Sequence, residues 1–353
     1  MSWTEWVDGE LDAIRRAGRW RAPVARDGIR NFASNDYLGL TQHPAVIAAA
    51  HEALDKNGAG AGSARLVVGS RTDHHALEDD LAEWKNTERA VLFSTGYQAN
   101  LSVLTTFADA QTRIVSDELN HASIIDACRL SRAEIAIYRH GDCEHAASLV
   151  AGADRAIVVT DSVFSMDGDV ASLVELDALC VTSGALLVVD EAHAVLGPDV
   201  PLHSGHVRVG TLSKTLGSLG GFAAASASFC DLLVNRARPY IFTTASTPAD
   251  TAAARAALAV LRSPEGDALV TRLRAHVARV RAGHPSPIVP VIIGEEQAAL
   301  DASAFMAERG LLVPAIRPPT VAVGTSRLRV ALSAAHTDDE ITRLVEALCA
   351  LNA

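Results

Sequence analysis

The sequence predicts an α/β protein: a large, mostly parallel sheet followed by a smaller C-terminal α+β part. Two observations carry this. Short apolar runs without in/out alternation recur at 90–93, 113–116, 134–138, 156–160, 185–190 and 206–211, separated by segments of helical composition. Strands buried on both faces read this way, and the helical spacers supply the crossovers a parallel sheet needs. From Ser263 the pattern changes to capped helices around a Pro-rich strand region, PSPIVPVII.

The elements follow in order. Trp3, Val7, Leu11 and Ile14 are spaced like the apolar stripe of an N-terminal helix, and the acids among them break the apolar core a signal peptide needs. A second helix begins at Ser263 as cap with Pro264 at the first helical position and closes at Gly283. DASAFMAERG forms a short helix ended by Gly310, and Thr337 with Glu340 gives capping-box spacing to the last helix. His74-His75 reads as a solvated helix start.

Composition narrows the function. The chain has 353 residues and a mass of 37.1 kDa, with 49% hydrophobic and 21% charged residues, which fits a folded chain with cores large enough to enclose a site. Its formal charge of −11, without a long basic block, argues against a duplex nucleic-acid binder. Five scattered cysteines, with no CxxC pair, predict neither a zinc site nor a disulfide framework, and a cytoplasmic location is expected. No apolar run reaches the roughly 18 residues of a membrane span.

The segment ALLVVDEAH ends an apolar strand in Asp190 and His193, and Lys214 follows 24 residues after the Asp in GTLSKTLGSLGG. Parallel sheets place ligands at the carboxyl ends of their strands. An aspartate there keeps a pyridine nitrogen protonated, and a lysine forms a Schiff base with an aldehyde, the pairing a pyridoxal-phosphate enzyme requires. Singly, Asp190 reads as a strand-end cap and Lys214 as a surface lysine; together, among Ser, Thr and Gly, they point to one pocket. In FSTGYQANLSVL a Thr-Gly turn opens a helix, making Thr95, Gly96 and Tyr97 candidate phosphate holders. His121 begins another helix, either as a cap or as a ring that stacks on the pyridine. Ser165 lies in a turn-rich loop after the 156–160 strand, as a ligand or an ordinary turn serine.

Taken together, SNDYLGL, STGYQAN, ELNHASIIDA, SVFSMDGD, VVDEAHA, TLSKTLGSLGG and IRPPTVAVGTSRLRVALSAAHT resemble the α-oxoamine synthase family of pyridoxal-phosphate enzymes, in the same order and over almost the whole chain. The resemblance implies an aminotransferase-like fold type I. It divides the chain into an N-terminal helix and arm (1–40), a large cofactor-binding α/β domain (41–255) and a C-terminal α+β domain (256–353). Pyridoxal 5′-phosphate is the implied cofactor. Lys214 would hold it covalently, Asp190 would pair with its ring nitrogen, His193 would bind its phenolic oxygen and His121 would stack on the ring. Gly96 and Tyr97 would lie beside it, with Ser165 and Thr211 as hydrogen-bonding partners.

The same resemblance assigns substrate contacts. Arg329 is the expected clamp for an amino acid carboxylate, with Arg317 able to share or exchange that task, because a guanidinium matches a planar carboxylate. Asn35 would line the pocket, Arg21 would meet the acyl substrate, and Thr320 would contact substrate. Family members are homodimers with the active site at the interface, so Thr243 or Thr244 would reach the second copy's phosphate. IRPPTV followed by GTSRLR favours the biotin-pathway branch, which condenses L-alanine with pimeloyl-CoA or a pimeloyl-acyl carrier protein; a glycine C-acetyltransferase is the alternative. The stretch between His193 and Lys214 is compressed, and the glycines that usually follow AH are displaced to Gly197, a trimming that bears on enclosure of the acyl chain.

Rival readings lack their parts. An aminotransferase would use the same Lys and Asp without an acyl thioester. DEAH at 190–193 would suit a nucleic-acid-dependent ATPase, but the nearest string to a phosphate loop, GHVRVGT, has Thr where Lys must stand. HEAL is not HExxH and no GxSxG occurs, so zinc protease and serine hydrolase have no support. A non-catalytic binding module would have no need of Lys214 beside Asp190.

Overall fold

The computed structural model describes residues 1–25, 28–203 and 205–351. Two compact units result, Met1–Arg30 and Asn31–Ala353. The first carries the helix Trp3–Arg16, started by a capping box in which the Ser2 hydroxyl accepts from the Glu5 N–H and the Glu5 carboxylate accepts from the Ser2 N–H. Trp3, Trp6, Val7 and Ile14 are exposed.

The second unit is organised by a seven-stranded sheet. Its spatial order is Arg89–Phe93, Gly221–Ala225, His206–Thr211, Leu186–Asp190, Ala156–Asp161, Arg113–Asp117, Glu134–Tyr138. Every pairing that excludes Gly221–Ala225 is parallel, and that strand runs antiparallel to both its neighbours. Six of the expected strands are therefore present, with their carboxyl ends on one edge.

The apolar runs lack alternation because both faces are covered. Ile157, Val159 and Val188 point into a core shared with the helices Gly96–Phe107, Ala122–Ser131 and Ala227–Arg236. Val158, Leu187 and Val189 point the other way, against Cys143–Val150 and Leu173–Ser183. Every residue of Ala156–Asp161 is buried, whereas the edge strand Glu134–Tyr138 is mostly exposed or half-buried.

C-terminally, the helix Pro264–Val280 starts as the Ser263-Pro264 pair predicts, with the Ser263 hydroxyl accepting from the Glu265 and Gly266 N–H groups. Gly283 lies in the following turn with φ +75°. The short helix extends from Glu296 to Glu308, and the last, Asp338–Leu351, has both capping-box bonds between Thr337 and Glu340. Ile288–Gly294, Ala315–Ile316 and Ser326–Ala331 form a small antiparallel sheet. Gly168 joins this sheet to the large one. At φ +71° a Cβ there would stand 1.9 Å from the Ile288 carbonyl oxygen, so the Ser165 loop reaches Ile288–Gly294 only with glycine at that position.

One expectation is corrected. His75 is solvent-exposed, but His74 is fully buried: its Nδ1 accepts the Arg71 N–H and its Nε2 lies 3.0 Å from the Ser246 carbonyl oxygen. The first turn of Thr72–Lys85 packs under the segment before Pro248–Leu261, and burial holds the His74 imidazole below its ordinary pKa.

A candidate active site at the carboxyl edge of the sheet

Five strand ends converge on the site. Arg89–Phe93 leads into Thr95, which caps the helix Gly96–Phe107 through its hydroxyl and the Gln98 N–H. Gly96 packs so closely on the end of His206–Thr211 that a Cβ would meet the Thr211 Cβ at 3.1 Å, and a Cβ on Gly221 would come within 2.5 Å of the Gly96 nitrogen. The helix N-terminus is thereby pressed onto the sheet edge with backbone N–H groups turned outward, a ready anion site. Thr211 Oγ is fixed by Ser213 Oγ at 2.8 Å and the Gly220 carbonyl at 3.0 Å. Tyr97 is partly exposed, and its hydroxyl donates to Asp126.

Leu186–Asp190 places Asp190 in the interior, where its carboxylate accepts from Asn100 Nδ2 at 2.6 Å and the Ala192 N–H at 2.9 Å. On the adjacent strand Asp161 stands opposite it in register and is also buried. Burial first, then the Asp190 charge, pushes the Asp161 carboxyl well above the ordinary carboxylate range. Asp161 Oδ2 accepts the His121 backbone N–H, and Asp190 accepts from two donors.

Lys214 lies in the turn after His206–Thr211. Burial lowers its amine below the ordinary lysine value, with Asp190 and Asp161 pulling it back up and Arg329 pushing it down. Lys214 thus feels the charges of Asp190, Asp161 and Arg329 together. His193 is buried, and its imidazole is held well below the ordinary value, first by burial and then by the Lys214 and Arg329 charges.

A hydrogen-bonded chain links His193 to Arg329. His193 Nδ1 lies 2.5 Å from the Tyr37 hydroxyl, which reaches Asn35 Oδ1 at 3.1 Å; the same oxygen accepts from Arg329 Nη2 at 3.1 Å. Tyr37 is fully buried, and burial pushes its phenol far up, so it remains a neutral hydroxyl. Arg329 Nε donates to the Ser165 carbonyl at 2.5 Å. The Ser165 loop is also held by Arg327 on Asp167 and by His140, whose Nδ1 lies 3.0 Å from Asp117 and Nε2 2.7 Å from Asp169. Those two carboxylates raise His140 to about 10 against the opposing effect of burial.

Arg317 follows Ala315–Ile316 and sits 3.8 Å from Glu296. Thr320 is exposed, its N–H bonded to the Arg317 carbonyl. Thr244 is exposed, bridged to Ala64, with its carbonyl accepting from Ser94 Oγ at 3.0 Å. Arg21 is exposed in the extended segment of the Met1–Arg30 unit.

Tyr37, Asn100, Ser123, His140 and Asp161 were not singled out from sequence. Two of them had a signal. Asn100 shares a helical face with Val103 and Leu104 at i+3 and i+4, marking a polar side chain on a core stripe. Asp161 ends AIVVTD as Asp190 ends ALLVVD.

The family model for aminotransferase class I and II matches residues 27–348, and the chain belongs to that family. More particularly, it is 47% identical over 384 aligned residues to an 8-amino-7-oxononanoate synthase from Anaeromyxobacter dehalogenans (strain 2CP-1 / ATCC BAA-258), with 98% of this chain and 95% of the relative covered. A solved structure of SPT with its PLP internal aldimine superposes with a TM-score of 0.91 at 28% identity, covering 100% of this chain and 98% of that one. An 8-amino-7-oxononanoate synthase from Francisella tularensis superposes with a TM-score of 0.78 at 26% identity, covering 92% and 97%. The fold is that of the type I pyridoxal-phosphate enzymes.

The residues fit that cofactor. They comprise a buried carboxylate with two donors for a ring nitrogen, a lysine amine whose pKa burial lowers, a helix N-terminus for a phosphate and a hydroxyl at Thr211 beside it. Asn100 Oδ1, on the amide that donates to Asp190, is buried without a hydrogen-bond partner.

Proposed function

We propose that the chain catalyses the reaction for which its curated relatives are named, condensing L-alanine with a pimeloyl thioester to 8-amino-7-oxononanoate, a free thiol and carbon dioxide, in biotin biosynthesis. The observation that carries this reading is the convergence of Lys214, Asp190 and a rigidly held Arg329 at one sheet edge, in a chain 47% identical to such a synthase. That identity favours alanine condensation over the glycine alternative.

Pyridoxal phosphate, when bound, supplies an aldehyde for the amino group and a protonated ring that draws electrons from the amino acid's α-carbon. Asp190 would hold that ring's N–H, His193 its phenolic oxygen and His121 its face. Gly96, Tyr97, Ser165 and Thr211 would complete the cradle, with Lys214 as its covalent anchor. Lys214 Nζ, already biased toward the neutral amine by burial, would take the α-proton and return a proton after carbon dioxide is lost. Arg329 would receive the carboxylate in a fixed orientation, since two of its nitrogens are already committed to Ser165 and Asn35. We assign Arg317, Thr320 and Arg21 to the substrate side, with Arg21 toward the acyl group.

We further infer a homodimer. Leu66, Val67, Val68 and Phe242 are large apolar side chains left exposed, and the Ala64–Thr244 bridge joins the two segments that carry them. Thr244 would then serve the second copy's phosphate. The division at 40 and 255 is proposed on the same family pattern. Among the described residues no helix is long and apolar enough to cross a membrane; the five unpaired thiols agree with a cytoplasmic setting.

The test is turnover: purified protein with pyridoxal phosphate, L-alanine and pimeloyl-CoA should release thiol and form 8-amino-7-oxononanoate. Glycine with acetyl-CoA turned over in preference would move the assignment to the alternative.

A further inference from the structure

We infer that Asn100 and Ser123 form a hydrogen-bond relay from the Asp190 carboxylate that fixes His121 as a neutral imidazole with its proton on Nε2. The inference rests on the functional reading above for its purpose but not for its geometry. Asn100 and Ser123 are both buried behind the site. Asn100 Nδ2 has two hydrogens and two partners, Asp190 Oδ2 at 2.6 Å and Ser123 Oγ at 2.9 Å. With Ser123 Oγ accepting from the amide, its own hydrogen is free to go to His121 Nδ1, 2.8 Å away.

A second donor reaches the same nitrogen. The Ser123 backbone N–H points at His121 Nδ1 at 3.2 Å, the helix-capping bond of Ala122–Ser131. A proton on Nδ1 would face that N–H directly and break that contact, although the Ser123 hydroxyl could turn to accept it. Nδ1 is therefore an acceptor, and a neutral ring carries its hydrogen on Nε2. The Asn100 amide is oriented by its two acceptors, which accounts for leaving its Oδ1 buried and unbonded.

The charges around His121 show what the relay opposes. Partial withdrawal from water, the largest effect, lowers the His121 pKa; Asp190 on the Leu186–Asp190 strand raises it and Lys214, on the turn beside it, lowers it further. His193 feels His121 as a further repulsive neighbour, and Asp161 engages the His121 N–H. A cationic imidazole lying on the face of a protonated pyridine would repel it. The relay disfavours that outcome by engaging Nδ1 as an acceptor, and the same amide donates to the Asp190 carboxylate. Asn100 and Ser123 are positioning residues: one amide donates to Asp190 directly and reaches His121 through the Ser123 hydroxyl.

The experiment is ¹⁵N NMR of the full chain labelled at histidine, with and without bound pyridoxal phosphate, using His121→Asn to assign the ring. The expected result at neutral pH is an acceptor-type Nδ1 and a protonated Nε2. Ser123→Ala should mix the tautomers and raise the His121 titration midpoint by about one pH unit, a tenfold change in proton affinity, moving the acid limb of kcat/KM upward by the same interval. Ser123→Thr, which keeps the hydroxyl, should restore both. A wild-type His121 with its proton on Nδ1, or a Ser123→Ala variant whose His121 tautomer and midpoint match wild type, would overturn the relay. If Ser123→Ala does not fold, the wild-type tautomer and the Ser123→Thr midpoint decide. Absence of turnover with alanine and pimeloyl-CoA, in protein showing the expected tautomer, would overturn the functional reading and leave the relay standing.

Discussion

Arg329 Nε donates to the Ser165 carbonyl oxygen at 2.5 Å, tying the small C-terminal sheet to the loop that follows Ala156–Asp161 in the large one. With Asn35 on Nη2, the guanidinium is fixed before any substrate arrives. Lysine at this position would keep a charge but lose the planar fork and both bonds. Arg329→Lys should raise the KM for L-alanine by roughly ten- to a hundredfold, with a smaller fall in kcat. Steady-state kinetics with alanine varied at saturating thioester checks it.

His140 gives a stability prediction with a definite sign. Its folded pKa is raised to about 10, so its bonds to Asp117 and Asp169 contribute fully below the unfolded value of about 6.5 and are lost as pH climbs through the folded one. Part of the ring meets water, which screens the pairs, so the contribution at pH 7 is about 1–2 kcal/mol. Wild type should lose that stability between pH 7 and 10, and His140→Gln should be less stable at pH 7 but flatter across the interval. Urea midpoints at several pH values measure both.

Tyr37 stands between His193 and Asn35. Tyr37→Phe keeps the volume but leaves His193 Nδ1 without its buried partner and removes a donor from Asn35. Destabilisation of about 1–3 kcal/mol is expected from the unpaired groups. Because Asn35 orients Arg329, the KM for alanine should rise as well, whereas a purely structural tyrosine would lower only the unfolding midpoint.

Much of this architecture was legible. The strands from 90 to 211 are uninterrupted apolar runs because helices cover both faces, and their carboxyl ends carry Asp190, His193 and Thr211 in readable order. Gly221–Ala225 was not. Its residues are mostly alanine and glycine, which have little strand preference, and they lie in a Gly/Ala/Ser-rich stretch that reads as loop or helix. Small residues suit it because Gly221 abuts the Thr95–Gly96 backbone. Likewise, no local pattern distinguishes His74, sealed under Ser246, from exposed His75. The Asn100–Ser123 and Tyr37–His193 contacts span 23 and 156 positions, and only the fold brings them together.

The central claim is that Lys214 performs the proton transfers of an alanine-dependent condensation. The direct measurement is thiol release and product formation from L-alanine and pimeloyl-CoA by wild type and Lys214→Ala, each loaded with pyridoxal phosphate and checked by circular dichroism. The account predicts product from wild type and a loss of about a thousandfold or more in a folded Lys214→Ala. Substantial turnover by that variant would contradict it.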